Sequence, residues 1–540
     1  MIKYIKEYIF KYKIIYLYIV LSIILYILKI ITPYLNGTLI DNLIYSKNID
    51  IVLSYSLIII IINLISIFIS YLNSVTTSKL QMNITFDLNK KLILHMQKLP
   101  YLEVINYNST YITQRMNNDS NILSLFFLNN IIAFFINIIN IIFSLIILSK
   151  INMSLLIVIT FFIPIYILTY LILRNPLYHS SIEFKENQSN YFQDLNNQIS
   201  FIKSIKTNSL YENSELELEC SYKNLFTSAM KNTKLSTVFS SLDNVISIIF
   251  QSITLILGII LIINEKITIG KFTIISTYFS ILLGSIKYYL NFGKEFTNAK
   301  SSFNRINEIN NFKEETEGNI IISHIDNIQV KNLSFCYSNL KEKFLISDLS
   351  FKLEKSNIYI LVGKNGCGKS TLINIITGII KSNSNLKGQI LYNNIDINKI
   401  NSYELRKYKI SIVQQEPTFN NDLCINIIKS ITIQYYNEEK IYNKLKQLGL
   451  YNFFQSKKFS NLLYKNFKNL SGGEKQKMAI LIAVLKDFDF LILDEPSSSL
   501  DSYTKRELID IIKILSINKI ILIINHDKEI MEITKNIIAL

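Results

Sequence analysis

The chain has 540 residues, of which 49% are apolar, and a formal net charge of +15. Length and apolar content together exclude a single soluble domain. The lysines are spread through loops and polar helices without forming one basic stripe, which argues against a nucleic-acid partner. The four cysteines stand too far apart for a metal-ligand or disulfide spacing.

Six apolar runs occupy the first half of the chain. A helix needs about 20 apolar residues to cross a bilayer, and these runs reach or approach that length. They cover residues 14–40, 51–72, 123–148, 151–173, 244–263 and 272–290. Lys29 and Lys287 interrupt the first and last runs. The sequence therefore predicts an all-α transmembrane domain of six helices over residues 1–309.

The distribution of lysines predicts the orientation of these spans. Lysines are concentrated before the first span, whereas the connections at 46–50 and 264–266 are short and lightly charged. The positive-inside rule therefore predicts a multi-pass cell-membrane protein with a cytoplasmic amino terminus. The long polar connections, about 73–120 and 174–243, then lie in the cytoplasm, and their helix-like spacing predicts that the membrane helices extend into it.

The composition of the sequence changes after the last predicted span. Residues 310–326 are polar and include an acidic run, which is typical of a linker. From residue 327 to 540, short β-branched runs alternate with helical stretches, a pattern that predicts an α/β domain with a mostly parallel sheet.

The segment Gly363 to Ser370 fits the phosphate-loop pattern G-x-x-x-x-G-K-S and stands between a predicted strand and a predicted helix. Its glycines allow backbone N–H groups to turn toward phosphates, and the helix N-terminus adds positive potential. Lys369 is placed to reach the terminal phosphates, and the Ser370 hydroxyl to reach Mg²⁺.

The run FLILDEP contains a second candidate element. A strand buried on both faces has continuous apolar sequence, and ligands collect at the carboxyl ends of strands in open sheets. Asp494 is therefore predicted to support Mg²⁺, and Glu495 to orient or deprotonate the attacking water. A solvated turn after a strand is the alternative interpretation.

The run LSGGEKQK is a third element. Ser471 followed three residues later by Glu474 predicts a capping box at a helix start. The run also resembles the signature of ATP-binding cassette proteins and lies 24 residues before Asp494, where that family places it.

This resemblance implies roles for further residues. Tyr337 is similar to the aromatic residue that stacks on adenine, Gln415 to the residue that contacts Mg²⁺ and water, and His526 to the switch histidine. The implied catalytic residues are Glu495, His526 and Gln415, and the implied Mg²⁺ contacts are Ser370, Gln415 and Asp494. The implied ATP contacts are Tyr337, Gly363, Lys364, Asn365, Gly366, Cys367, Gly368, Lys369, Ser370, Thr371, Ser471, Gly472, Gly473, Gln476 and Asp501.

The membrane half resembles the exporter type of the same superfamily, with six spans, EKITIGKF between the last two and SSFNRINEI before the cassette. The chain departs from that pattern because NLLYKNFKNLSGG lacks the usual Gly-Glu-x-Gly loop. Since no peptidase region precedes the first span and the chain stops at NIIAL, we expect a transporter without leader cleavage and without the usual last strand and helix.

The resemblance implies that one cassette completes its ATP site with the signature of another copy. The chain therefore needs a second half-transporter, with a homodimer favoured and a heterodimer left open. The expected function is ATP-driven export across the lipid bilayer. Residues 99–108 and 201–210 are candidate coupling segments between membrane and cassette, and surface helices of no special role are the alternative.

The sequence offers little evidence about the cargo. Lys29, Asn244 and Gln251 are candidates for a substrate cavity, with snorkelling as the alternative for Lys29 and helix packing as the alternative for the small polar stripe that contains the other two. A cavity-facing Lys29 favours an anionic or carboxylate-bearing cargo. An amphipathic, bacteriocin-like peptide is the leading candidate for the cargo, followed by a lipid or drug-like compound.

An importer or immunity factor built on the same scaffold is the alternative function. A soluble DNA-maintenance ATPase is poorly supported, because its coiled coils would replace the apolar spans.

Overall fold

The structure is a computed structural model that describes residues 7–8, 10–46, 49–105, 109–151, 153–337, 344–381, 385–432, 436–448, 461–498 and 500–540. The chain divides into two compact units. The first unit comprises Met1–Leu99 and Val104–Lys313, and the second comprises Pro100–Glu103 and Glu314–Leu540.

Long helices make up the first unit, and several run far beyond the predicted spans. The helices of this half of the chain are α1 (Ile14–Asp41), α2 (Ile49–Met96), α3 (Tyr101–Val104), α4 (Ser109–Ile131), α5 (Ala133–Ile151), α6 (Met153–Ser200), α7 (Ile202–Thr207), α8 (Tyr211–Ile263) and α9 (Ile269–Asn310). Helix α8 alone has 53 residues, so it extends roughly 80 Å, more than twice the thickness of a hydrocarbon core.

Within the described residues, five helical stretches are long and apolar enough to cross a membrane. They are Ile14–Tyr45, Ile49–Met96, Arg115–Lys150, Tyr211–Ile263 and Ile269–Asn310. The remaining predicted span, 151–173, lies largely in α6. Most side chains of this span fall outside the described residues.

A carboxylate joins the end of α1 to the start of α9. The Asp41 side chain accepts hydrogen bonds from the Thr268 hydroxyl and from the Gly270 backbone N–H, each at 2.7 Å. Any side chain on Gly270 would collide with the Gly37 carbonyl oxygen, which lies 2.2 Å from the position of an added Cβ. The carboxylate at the N-terminus of α9 and the close approach of Gly37 to Gly270 both stabilise the contact between α1 and α9.

The small polar stripe on α8 divides between two environments. Ser247, Thr254 and Gly258 are buried, and a Cβ added to Gly258 would lie 2.0 Å from the Phe272 ring. These residues therefore pack α8 closely, as small residues do in membrane helices. Lys287, the charge that interrupts the last predicted span, pairs with Asp243 of α8 at 3.1 Å.

Two sheets form the second unit. Its strands are β1 (Asn327–Phe335), β2 (Ile346–Glu354), β3 (Ile358–Val362), β4 (Leu386–Tyr392), β5 (Ile395–Asp396), β6 (Ile410–Val413), β7 (Phe490–Asp494), β8 (Ile520–Ile524) and β9 (Ile537–Ala539). An antiparallel sheet has the order β2-β1-β4-β5, and a parallel sheet has the order β6-β7-β8-β3-β9. The helices are α10 (Lys369–Ile376), α11 (Ser402–Tyr408), α12 (Cys424–Thr432), α13 (Glu438–Gln447), α14 (Gly472–Leu485), α15 (Ser502–Leu515) and α16 (Lys528–Met531).

The centre of the parallel sheet is fully apolar. All five residues of β8 are buried, as are the first four of β7, because one face packs against α12, α14 and α15 and the other against α10 and the antiparallel sheet. Since β3, β6, β7 and β8 run in the same direction, the residues that follow them meet at one edge of the sheet.

Candidate nucleotide-binding site

The carboxyl-terminal edge of the parallel sheet gathers the predicted catalytic groups. The phosphate loop follows β3, Gln415 follows β6, Glu495 follows β7 and His526 follows β8. Polar side chains converge at this edge because each strand places its next residues there.

Two glycines give the phosphate loop its shape. Gly366 and Gly368 have φ angles of 81° and 104°, in the left-handed region that disfavours residues with a side chain. No atom lies within 4 Å of a Cβ added to Gly366, so the backbone there faces open space. Ser370 is exposed in the first turn of α10, and its neighbour Thr371 is 7% exposed. The loop therefore leaves room for an anion against its backbone N–H groups.

Lys369 spans the opening of this loop. Its Nζ donates a 2.7 Å hydrogen bond to the Gly363 carbonyl oxygen and lies 2.9 Å from the Nε2 atom of His526. Because an ammonium has only donors, His526 Nε2 acts as the acceptor, which places the ring proton on Nδ1. His526, the predicted switch histidine, and Lys369 are thus in direct contact.

Asp494 and Glu495 form an acidic pair at the end of β7. Burial raises the pKa of Asp494, the charge of Glu495 raises it further, and the ammonium of Lys369 opposes both. Glu495 has a φ of 45°, an unfavourable value for a residue with a side chain, and its N–H donates to the Ile524 carbonyl oxygen at 2.9 Å. The Gln415 side-chain amide donates a 2.8 Å hydrogen bond to the Glu495 carboxylate.

A buried polar pair supports this edge and was missed by the sequence interpretation. The Asn525 side-chain amide donates to the Ser497 hydroxyl at 2.8 Å, and both residues are at most 5% exposed. Asn525 also accepts from the backbone N–H of Asp527. The pair joins the loop after Glu495 to the loop that carries His526. Its sequence signal was the polar residue directly after the apolar strand β8.

Tyr337 lies just after β1 and is 55% exposed. Its hydroxyl forms a 2.9 Å hydrogen bond with the Thr371 hydroxyl, and its ring meets Phe335 edge to face, with centroids 5.0 Å apart. These two contacts fix a ring that still exposes surface. Such a ring fits the predicted stacking on adenine.

The signature residues begin α14 as the capping-box pattern predicts. The Ser471 backbone N–H donates to the Glu474 carboxylate at 2.8 Å, and the Glu474 N–H donates to the Ser471 hydroxyl at 3.4 Å. Ser471 and Gly472 are exposed and Gly473 is half-buried. Gln476 is only 1% exposed, however, so in this chain it does not reach the surface that its predicted ATP contact requires.

Asp501 has a local structural role. Its carboxylate accepts from the Thr504 backbone N–H at 2.8 Å and so caps α15. The hydrogen bonds with Thr504 lower the pKa of Asp501. Ser499, two residues before Asp501, lies outside the described residues.

The residues at this edge fit a nucleotide with a divalent cation. The loop offers backbone donors and one ammonium for phosphates. A hydroxyl, an amide oxygen and a carboxylate, from Ser370, Gln415 and Asp494, are oxygen ligands of the type that Mg²⁺ accepts.

The predicted cavity residues of the membrane unit differ in position. Lys29 lines a space of about 260 Å³ bounded by α1, α5 and α9. Asn244 and Gln251 are exposed on α8 and are absent from the described lining of that space.

Comparison with known families matches both halves of the chain. Residues 15–286 match the family model described as the ABC transporter transmembrane region, and residues 346–498 match the model described as ABC transporter. The solved structure of a bacterial Atm1-family ABC exporter with ATP bound has a similar fold, with a TM-score of 0.85. That match covers 97% of this chain and 94% of the other, at 15% identity.

Curated relatives carry several different functions. The chain is 28% identical to the lactococcin-G-processing and transport ATP-binding protein of Lactococcus lactis subsp. lactis, over 68% of this chain and 52% of that protein. It is 27% identical to the ATP-dependent lipid A-core flippase of Pasteurella multocida, over 52% of this chain and 48% of that protein. The matched region thus spans about half the length of each of these relatives.

Proposed function

The chain belongs to the ABC transporter family, and on that premise we propose that it is one half of a dimeric exporter that uses ATP hydrolysis to move an amphipathic cargo across the membrane. The observation that carries this proposal is the convergence of Lys369, Gln415, Glu495 and His526 at one edge of the parallel sheet. Contacts between these residues join four loops in two pairs: Lys369 contacts His526 after β3 and β8, and Gln415 contacts Glu495 after β6 and β7.

Each group at this edge has a distinct task. MgATP supplies a terminal phosphoryl group whose transfer to water releases free energy. Lys369 and the loop N–H groups bind the phosphates, and Ser370, Gln415 and Asp494 provide oxygen ligands for the cation. Glu495 orients the attacking water and accepts its proton, while His526 contacts the terminal phosphate.

We assign the coupling between the membrane unit and the cassette to the segment around α3. Pro100–Glu103 clusters with the second unit, and Leu102 packs against the core formed by the antiparallel sheet and α10. The Glu315 carboxyl also forms a hydrogen bond with the backbone of Tyr101. This segment overlaps the candidate coupling segment 99–108, of which residues 106–108 lie outside the described residues.

Two exposed features of the single chain support a dimer. Ser471, the signature serine, is exposed, so it is available to nucleotide held by another chain. Around α7, large apolar side chains are also exposed, namely Ile199 (70%), Phe201 (62%), Ile202 (53%) and Tyr211 (57%). An exposed apolar patch of this kind is typical of a protein interface. A second copy is the simplest partner, because this chain carries every catalytic group; a degenerate half-transporter is the alternative.

The relatives bear on the cargo. One is named for lactococcin-G processing and transport and another as a lipid A-core flippase, so the cargo named differs between relatives. We favour an amphipathic peptide, exported from a cytoplasm that contains the amino terminus and the cassette. An importer or immunity factor on the same scaffold is the second candidate, and transport into sealed vesicles with outward-facing cassettes separates the two.

A mixing experiment tests the shared site. The purified Lys369→Ala and Ser471→Arg chains should each be inactive as homodimers, since each change disables both shared sites. Co-expressed with different tags and purified together, they should recover ATP hydrolysis, because the mixed dimer holds one site with an intact lysine and an intact serine. If the mixed dimer forms but remains inactive while wild type is active, the shared-site proposal is wrong.

A further inference from the structure

The membrane unit contains a cavity with one cation in an otherwise mostly apolar lining. It measures about 260 Å³ and lies between α1, α5 and α9. Its lining consists of Ser22, Leu25, Tyr26, Lys29, Ile30, Ile136, Asn140 and Ile281. One water needs about 10–15 Å³ of such volume, and whole drug-sized ligands occupy about 300 Å³ or more. The space therefore suits one end of a larger molecule.

Lys29 supplies an uncompensated charge to this cavity. It forms no ion pair or hydrogen bond with any residue in the described part of the chain, and it is exposed. The other lysine within a predicted span, Lys287, is instead paired with Asp243. An ionisable group at membrane depth is unfavourable unless it faces a cavity, a partner or an interface. Lys29 therefore remains available to an external negative charge.

The neutral polar groups of the lining include hydrogen-bond donors. The Tyr26 hydroxyl is buried and has no partner among the described residues, which is unfavourable for a polar group. Asn140 offers an amide. The Ser22 hydroxyl already donates to Asn73 at 3.2 Å, so its proton is committed. The cavity thus presents one ammonium, one free O–H and one amide N–H.

We infer that this cavity is a cargo subsite that binds the carboxylate end of an amphipathic peptide, and this inference rests on the export function proposed above. A carboxylate carries one negative charge and accepts several hydrogen bonds, which matches one ammonium with two neutral donors. A phosphate monoester carries nearly two charges and is typically held by clusters of cations. The apolar residues Leu25, Ile30, Ile136 and Ile281 contact the adjoining apolar side chains of the peptide.

The test uses the full-length protein in nanodiscs and one synthetic amphipathic helical peptide in two forms. The forms differ only in a free carboxylate or an amide at the carboxyl terminus. Binding is measured by peptide fluorescence without nucleotide, and stimulation of ATP hydrolysis is measured in parallel. Wild type should bind the acid form about tenfold or more tightly than the amide form, since hydrogen bonds to a charged group are the strong ones.

Lys29→Met should abolish the preference for the acid form of the peptide, and Lys29→Arg should retain most of that preference. Tyr26→Phe, which removes one donor and keeps the ring, should reduce the preference and serves if Lys29→Met is not recovered as a folded protein. Lys150→Met removes a lysine of α5 that is outside the cavity lining, so it should leave both the preference and basal ATP hydrolysis unchanged.

The outcomes separate this inference from the proposed function. Absence of ATP hydrolysis in wild type contradicts the proposed function. If wild type hydrolyses ATP but binds acid and amide peptides equally, or if Lys29→Met keeps the preference, the subsite assignment is wrong. Stronger binding of dodecyl phosphate than of dodecanoate would also overturn it, since it would identify a phosphate-bearing lipid as the better ligand.

Discussion

The side-chain amide of Gln415 donates a 2.8 Å hydrogen bond to the carboxylate of Glu495, and this contact joins the loops that follow β6 and β7. Glu495 is held in a left-handed backbone conformation with a φ of 45°. An unfavourable conformation at a group poised for proton transfer is consistent with a catalytic role, because the surrounding structure must stabilise it.

Replacing Glu495 by Gln should lower the rate of ATP hydrolysis by about 10² to 10⁴, because the amide cannot accept a proton from water. ATP should still bind, since the phosphate loop is unaltered. Phosphate release and equilibrium ATP binding measure the two effects separately. Glu439→Gln, an exposed acid at the start of α13, is the matched control and should retain activity. An active Glu495→Gln protein would exclude this carboxylate as the base.

Asp494 should limit activity at acid pH. Its pKa is raised, so it takes up a proton at a higher pH than an ordinary aspartate, and the protonated carboxyl is a poor Mg²⁺ ligand. The Mg²⁺ concentration needed for half-maximal hydrolysis should therefore rise as the pH falls through this raised value. Titrations of Mg²⁺ at a series of pH values measure the effect.

The raised pKa of Asp494 predicts that its carboxylate lowers the stability of the folded protein although activity requires it. Because the native state binds this proton more tightly than the unfolded state does, stability falls as pH rises through the raised pKa. Asp494→Asn should therefore raise the thermal midpoint of the nucleotide-free protein at neutral pH while abolishing Mg²⁺-dependent hydrolysis. Asp510→Asn, an exposed acid on α15, should change neither property. A lower midpoint for Asp494→Asn contradicts the burial argument.

Tyr337→Ala should weaken ATP binding by about tenfold, since loss of stacking on a base costs about 1–3 kcal/mol. Tyr337→Phe keeps the ring and loses only the hydrogen bond to Thr371, so its affinity should stay close to wild type. Equilibrium binding of ATP to the full-length protein distinguishes the two variants. Equal losses in both would assign the effect to the hydroxyl.

Phe201→Ser should reduce cargo-stimulated ATP hydrolysis without destabilising the single chain. The residue is 62% exposed, and exposed substitutions usually change stability by less than about 0.5 kcal/mol. If a partner covers this patch, the loss of apolar contact impairs coupling in the dimer. Leu216→Ser, at 63% exposure on α8, is the matched apolar control and should behave as wild type. Normal stimulation of Phe201→Ser would remove the patch from the proposed interface.

Lys486 should make the cassette more stable at alkaline pH. Burial lowers the pKa of Lys486 to about 8, and its ammonium donates to the carbonyl oxygens of Arg406 and Ile410. Between this value and the ordinary lysine pKa the unfolded state binds more protons, so the unfolding free energy rises with pH, by at most about 1.4 kcal/mol per unit. Lys486→Met should abolish this slope, and exposed Lys513→Met should retain it. Thermal unfolding from pH 7.5 to 10 provides the comparison.

Motif residues close together in sequence were predictable because their structure is set by nearby atoms. Two of the phosphate-loop glycines, Gly366 and Gly368, have positive φ angles, and the Ser471 capping box closes within four residues. The fold class, a helical transmembrane domain followed by an α/β domain, was likewise predicted from patterns and is confirmed.

Contacts distant in sequence were less predictable. A helical stripe can be recognised by its period, but the period does not identify what faces it. Ser247 and Thr254 are therefore buried in packing while Asn244 and Gln251, on the same stripe, are exposed. For the same reason, the burial of Gln476 and the pair formed by Asn525 and Ser497 were not expected.

The sequence alone thus determined what the chain is made of: apolar helices that only a bilayer accommodates, and a loop whose glycines and lysine fit the phosphate-loop pattern. The tertiary structure decided which groups meet, because Lys369 reaches His526 across 157 residues only when β3 and β8 pair. It also decided that Lys29 lines a cavity while Lys287 is neutralised by Asp243. Charge and periodicity are local properties, whereas the neighbour of a side chain is fixed only by packing.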